Sequence, residues 1–314
     1  MRPMGRSELI NTTRAILAKA GFDVSSALTI RGICFDVVAR RDQKVLIVKV
    51  LSNVDAFSKE NASEMKTLAD ALGATPLVVG ERSSSGALET GIVYSRFNIS
   101  IISNDTLAEL LLEDTPPYIF AAPGGLYVKL DGSLLRSARE SMGLSLGAVA
   151  DIAGVSRRTI QMYESGMGAM IDAALRIEEH LGLPIIEPID PFEHRADDGE
   201  RPEQAPIDTF AFNQLCNLGF SVKPVLRSPF EAVSSTSKAL MLTGFGPDDE
   251  RLAQRAVVAS DIARIMDNFS ILIVERKHER DSIDSTAVVS NEELRRMDDP
   301  EDLTDLVAER GTRK

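Results

Sequence analysis

The sequence predicts a fold class of α/β plus all-α, in which two α/β domains flank a small helical domain. Three observations lead there. The 314 residues are more than one compact core ordinarily serves, so two or three domains are expected. At both ends of the chain, windows of helical apolar spacing alternate with short β-branched runs. Between them, from Ser133 to Gly166, only helical spacing is found. The expected boundaries are 1–118, 125–190 and 207–314.

In chain order, Leu9, Ile10, Ala15, Ile16 and Leu17 recur at helical spacing over Ser7–Ala20, and Gly21 stands where a helix C-cap favours glycine. Ile33–Ala39 and Val45–Leu51, separated by the turn-like Arg40–Lys44, read as a hairpin. Lys59–Leu72 is a second amphipathic helix ended by Gly73, and Pro76–Gly80 is an apolar run of the kind buried on both faces of a sheet. Ile92–Tyr94 and Ser100–Ile102 add strands, and Asp105–Leu112 adds a helix. Asp114–Gly125 is rich in proline and glycine and reads as an interdomain strap, followed by a short strand at Tyr127–Leu130 and a turn at Asp131-Gly132. Gly168–Met170 lack the polar character of an ordinary loop, which suggests packing on a neighbour, and Asp172–Leu181 is a helix stopped by Gly182. Pro188–Pro206 is acidic, proline-rich and expected to be a flexible linker. The tail Asp298–Lys314 is helical in pattern only through Leu303, Leu306 and Val307, and is expected to fray.

The middle segment carries the clearest chemistry. Ser145 and Ser156 each precede an apolar-periodic run, where a hydroxyl can accept from orphan backbone N–H groups, so two short helices are expected to start there. Ala150 is small where they must cross, Gly154 supplies a left-handed turn, and Ile160 with Val149 and Val155 closes the core between them. This spacing, with Leu144 before it and Glu164 and Gly166 after it, resembles the lambda repressor-like helix-turn-helix domain. The resemblance implies that helix 156–164 lies in the major groove of double-stranded DNA. It places Arg157, Arg158 and Met162 facing the groove and Ser156 and Gln161 at phosphates or bases, with Ser145 and Thr159 completing the DNA-binding set. An arginine gripping guanine through two nitrogens is worth about 1–3 kcal/mol of discrimination. The first helix often opens on a phosphate-bracing glutamine in such domains. Here it opens on Leu146, so that contact is absent or falls to Ser145, Arg136 or Arg139.

At the N-terminus, the order helix, hairpin with Asp36 and Lys49, helix and strand resembles the restriction-endonuclease-like fold. Nucleases of that fold also need an acid two residues before the lysine, because two carboxylates hold Mg²⁺ while the lysine stabilises attacking water or developing charge. Ile47 occupies that place, so the site is expected to be degenerate. The C-terminal part then reads as a diverged repeat. Leu17–Val24 matches Leu215–Val222, Phe35–Val38 matches Phe230–Val233, Leu46-Ile47 matches Leu240-Met241, and Pro76–Arg82 matches Ser270–Arg276. In this second copy the acid is Glu231, and the lysine position is Thr243, or Gly244 if the register slips by one.

Composition excludes several classes. The two cysteines, Cys34 and Cys216, have no partner at metal-ligand spacing and read as reduced core residues. His180, His194 and His278 form no local pair, and no glycine loop is followed by Lys-Ser or Lys-Thr, so neither metal nor cofactor is expected. No membrane-length apolar run or secretory leader is visible, which predicts a cytoplasmic protein with no membrane partner. The net charge of −12 runs against the basic footprint of most DNA-binding proteins, so positive charge must be local. Weak, salt-dependent binding by one copy and useful binding only by a homodimer are expected.

The motifs FDVVARRD, LGATPLVVGER, AAPGGLYVK and GVSRRTIQMYESGM, in that order, resemble an archaeal family of helix-turn-helix transcriptional regulators. The expectation is a sequence-specific, double-stranded DNA-binding transcriptional regulator with no catalytic residues, any small-molecule effector being left open. One alternative is an adaptor that turns the same fold to the transcription machinery. The other is a metal-dependent DNA-processing enzyme.

Overall fold

The computed structural model of the chain describes residues 5–28, 32–193, 210–246, 250–275 and 280–311. His194, His278, the expected linker beyond Glu193, the Arg276 end of the repeat and residues 312–314 lie outside the described residues. The chain divides into two compact units. One is mainly Val78–Arg195 with Ser52–Asp55, and the other is Met4–Leu51, Ala56–Leu77 and Ala196–Lys314.

The N-terminal part of the second unit runs α1 (Arg6–Lys19), β1 (Asp23–Val24), β2 (Val37–Arg41), β3 (Lys44–Asn53) and α2 (Lys59–Leu72). β2 and β3 pair antiparallel from Val37↔Val48 to Arg41↔Lys44. That leaves a two-residue turn whose first residue, Asp42, has φ 54°, a conformation aspartate tolerates better than β-branched residues. Ser58 caps α2 by accepting the Asn61 N–H, and Gly73 closes it in the left-handed conformation. Leu9, Leu17, Phe35, Ile47, Met65 and Leu68 are fully buried.

The first unit continues with β4 (Thr75–Ser83), β5 (Gly86–Ala87), β6 (Ile92–Arg96), β7 (Ile99–Ile102), α3 (Asn104–Leu112), β8 (Ile119–Ala122) and β9 (Gly125–Leu130). Then come α4 (Gly132–Ser141), α5 (Leu146–Ala153), α6 (Arg157–Glu164), β10 (Ala169–Met170), α7 (Ile171–Leu181) and β11 (Ile186–Glu187). Within the expected strap at Asp114–Gly125, Ile119–Ala122 is a strand. β8 runs parallel to β6 and antiparallel to β9, with Phe120 stacked on Tyr127 at 5.8 Å. Proline and glycine here shape the strand ends and the turn at Gly124 instead of loosening the segment. Gly168–Met170 do meet a neighbour. Ala169 and Met170 pair with Val128 and Tyr127, and a Cβ on Gly168 would lie 2.6 Å from the Phe120 ring. The linker also starts later than its composition suggests, because Ile189 donates to the Pro117 carbonyl and Phe192 is buried.

The chain returns to the second unit as α8 (Phe210–Asn217), β12 (Ser221–Pro224), β13 (Ala232–Ser235), β14 (Leu240–Gly246), α9 (Glu250–Met266), β15 (Phe269–Val274), β16 (Ser282–Ile283), β17 (Thr286–Ser290), α10 (Asn291–Leu294) and α11 (Pro300–Gly311). The strand order is β12-β13-β14-β15-β17-β16. β14, β15 and β17 are parallel, and α9 makes the crossover from β14 to β15. Alternation along β15 sends Ile271 and Ile273 to a core with Leu215, Leu303 and Val307, and Leu272 and Val274 to one with Leu252 and Ala256. The tail does not fray through Gly311, because Leu303 and Val307 are buried. Cys216 departs from its expected burial. Leu215 takes the inward position on α8, so Cys216 is exposed, whereas burial pushes the Cys34 thiol up to about 12.

Within this unit the N-terminal and C-terminal parts touch in a reciprocal way. The Ser26 N–H donates to Asp261 of α9 at 2.7 Å. In return the Leu226 N–H donates to Glu64 of α2 at 3.0 Å, and the Arg227 guanidinium donates to Asn61 at 2.5 Å. The Cys34 N–H meets the Arg227 carbonyl at 2.8 Å between the two loops. Each part therefore offers the loop after its first strand to the crossover helix of the other.

Candidate nucleic-acid interface

The helix pair α5–α6 is set by its caps. The Ser145 hydroxyl accepts the Ala148 N–H at 3.1 Å, and the Ser156 hydroxyl accepts the Thr159 N–H at 3.1 Å. Gly154, at φ 71°, ends α5 and returns its N–H to the Ala150 carbonyl, while Arg176 of α7 donates to Ala153 at 2.9 Å. Ile160, Val149 and Ala150 are buried as the spacing predicts, in a core with Leu135, Tyr163, Ala173 and Ile177. Val155 is partly buried against it.

The outward face of α6 carries Arg157, Arg158, Gln161 and Met162, all exposed, with Met162 at 40%. Ser145 and Ser156 are exposed as well, and Thr159 is half-buried with its hydroxyl 2.8 Å from that of Ser156. Their oxygens are engaged as caps, yet a hydroxyl that accepts a backbone N–H can still donate its own proton. Arg157 does not reach straight outward. Its guanidinium lies across the start of α5, where a Cβ on Gly147 would stand 2.8 Å from its Nε. A cation therefore sits beside two helix N-termini, each carrying roughly half a positive charge.

The arginines of α4 take a different role from the one expected. Arg139 donates to Glu164 through Nε at 2.5 Å and through a terminal nitrogen at 3.3 Å, and Arg136 donates to the same carboxylate at 3.2 Å. Glu164 is buried on the inward side of α6, and the Arg139 side chain is only 12% exposed. The Glu164 hydrogen bonds raise the Arg139 pKa above the ordinary guanidinium value. Arg139 is thus a strut between α4 and α6 and is withdrawn from any phosphate, while Arg136, at 54%, keeps an open side. Periodicity could not show this, because the partner lies 25 residues away. Gly132 is the other residue that sequence reasoning missed. A Cβ there would meet the Glu164 carbonyl at 2.6 Å, so glycine lets the start of α4 touch the end of α6. No sequence pattern marked it, and it read as a turn residue because Asp131 precedes it. Asp131 instead caps α4, accepting from Ser133 and Leu134.

The N-terminal acid-lysine pair is engaged within the protein. The Asp36 carboxylate takes Arg6 at 2.5 Å, the Val50 N–H at 2.8 Å and Lys49 at 3.5 Å. Lys49 donates to the Ile33 carbonyl at 2.9 Å; burial lowers its pKa, with Asp36 opposing. Ile47 is fully buried where a second carboxylate would be needed. Among the described residues no group of three or more His, Cys, Asp or Glu could hold a metal ion. One carboxylate already matched by two cations does not fit Mg²⁺. The C-terminal strands repeat the same local pattern. Glu231 donates its N–H to Thr243 and accepts from Phe245, as Asp36 does with Val48 and Val50. That register puts Gly244 at the lysine position, and Arg255 holds the Glu231 carboxylate.

Two capped helices, a buried acid that braces the second against α4 and exposed arginines opening that second helix define a helix-turn-helix DNA-binding protein. The comparisons agree with that class. Residues 135–187 match the helix-turn-helix family, and residues 6–117 match the PD-(D/E)XK superfamily domain. Over almost its whole length the chain is similar to proteins named "Putative HTH-type transcriptional regulatory protein". The one from Halobacterium salinarum is 41% identical over 98% of each chain. The one from Halorubrum lacusprofundi is 40% identical over 98% of each, and that of Methanocella arvoryzae is 39% identical over 99% of this chain and 98% of its own. The chain belongs to this archaeal family of HTH-type transcriptional regulatory proteins. No solved structure matches it. Among the described residues, no helix is long and apolar enough to cross a membrane.

Proposed function

We propose that the protein is a sequence-specific regulator that reads double-stranded DNA by laying α6 in the major groove. The observation that carries this reading is the placing of Arg157 and Arg158 at the N-termini of α5 and α6. Two cations beside two positive helix ends repel one another, and an anionic phosphate backbone relieves all of that charge together. In a chain of net charge −12 such a concentration of positive potential is local and purposeful. Arg158, Gln161 and Met162 address base edges, and Arg157 with the hydroxyls of Ser145, Ser156 and Thr159 addresses the backbone.

Two copies bind one operator, with half-sites about 34–36 Å apart. The exposed Met167, Met170 and Leu175 of the same unit support a homodimer. The domains run 1–118, 125–190 and 207–314, and the last is a diverged repeat of the first, as the matching contacts of Asp36 and Glu231 support. Neither α/β part is an enzyme, since Ile47 and Gly244 stand where catalysis needs an acid and a lysine. The protein works in the cytoplasm.

The test is selection of genomic fragments by the purified protein at two salt concentrations, beside an Arg157→Ala, Arg158→Ala double variant. A palindromic site is expected to be enriched and to be lost by the variant. Arg158→Ala alone should relax one base position by about 1–3 kcal/mol. Salt-sensitive binding with no preferred site would overturn operator recognition and favour an adaptor of the transcription machinery.

A further inference from the structure

We propose that the cleft left by the degenerate nuclease site binds a small organic anion, its carboxylate or phosphate group held by Arg6 and Lys49 and its apolar body resting on Ile10 and Leu28. The cleft encloses about 540 Å³, a volume suited to a metabolite-sized guest. α1 brings Arg6, Ile10 and Asn11 to one side of it, and the β2–β3 hairpin region brings Asp36 and Lys49 to its floor.

Charge favours an anion. Two cations face a single carboxylate, and neither cation is saturated. Arg6 gives one nitrogen to Asp36 and stays half exposed, and Lys49 has three protons to share between Asp36 and the Ile33 carbonyl. A buried ammonium is costly, and replacing such a pair with apolar residues commonly stabilises a fold. The neighbouring Ile47 shows that this strand accepts an aliphatic side chain. Lys49 is thus a costly buried charge whose cost an anionic guest would offset.

The C-terminal part carries no such cation at the matching strand position. There the lysine is replaced by Gly244, and Leu272 reaches to 2.8 Å from where its Cβ would stand. This inference stands apart from the operator reading, since ligand binding is measured without DNA.

Ligand-observed NMR on the full chain tests it, using benzoate and phenyl phosphate as probes, with benzamide as the neutral and benzylamine as the cationic control. Saturable binding of an anionic probe is expected with Kd on the order of 1 mM, and at least about tenfold weaker for both controls. The tighter of the two anions identifies the group the cleft prefers. Lys49→Met should abolish binding. Should that variant fail to fold, Arg6→Gln decides, because Arg6 is half exposed and a glutamine amide can still donate to Asp36, so the chain should stay folded while binding weakens about tenfold. Equal binding of benzamide, no saturable binding of either anion, or anion binding unaffected by Arg6→Gln would overturn the proposal.

Discussion

Glu164 shows how much one side chain can decide. It lies on the inward side of α6 and draws both α4 arginines onto itself, so a residue that the sequence offered only as part of the helix-turn-helix spacing is an internal brace. Removing one partner of a buried pair leaves the other desolvated, so Glu164→Gln should destabilise the helix-turn-helix by about 3 kcal/mol in chemical unfolding. Gly132→Ala should cost a similar amount, about 1–3 kcal/mol, because the obstruction is the Glu164 backbone and cannot swing aside. If both variants unfold at the wild-type midpoint, the brace is not what positions α6. These residues were hidden from the sequence for a physical reason: their partners are remote in the chain, and spacing rules see only neighbours one or two turns away.

At the scale of elements, local chemistry was legible wherever it was self-contained. The caps Ser145 and Ser156, the stop at Gly154 and the inward residues Ile160 and Val149 are local features, and they stand where the spacing put them. β8 and the firm docking of the tail helix were not legible, because a strand containing alanine beside prolines and a helix with only a thin apolar stripe are stabilised by tertiary partners. Gly147 offers a test at this scale. An alanine there favours the helix by up to about 1 kcal/mol, yet its methyl group displaces the Arg157 guanidinium. Gly147→Ala should therefore melt at or above the wild-type temperature while binding operator several-fold more weakly. A stable variant with unchanged DNA affinity would show that the resting place of Arg157 is irrelevant to recognition.

In the molecule as a whole, the docking of α11 is held partly by charge, so acid is expected to weaken it. Burial pushes the Glu293 carboxyl up, but Arg310 and the N–H and hydroxyl of Ser290 outweigh it and bring the pKa from 4.5 to about 2. A carboxyl whose folded pKa lies below its unfolded one contributes stability that is fully present above pH 4.5 and lost as the pH falls toward 2. Glu293→Gln should be less stable than wild type at neutral pH, with a flatter dependence on pH across that window in denaturant titrations. An unchanged slope would remove α11 docking from the sources of acid lability.

The reciprocal contact of Ser26 with α9 and of residues 226–227 with α2 has one more consequence. Its two sides belong to one polypeptide, so their mutual effective concentration is on the order of millimolar whatever the abundance of the protein. Dilution that would separate a pair of free subunits leaves this contact intact. Any assembly of further copies is then a separate equilibrium, free to follow expression level or operator occupancy without dismantling the scaffold.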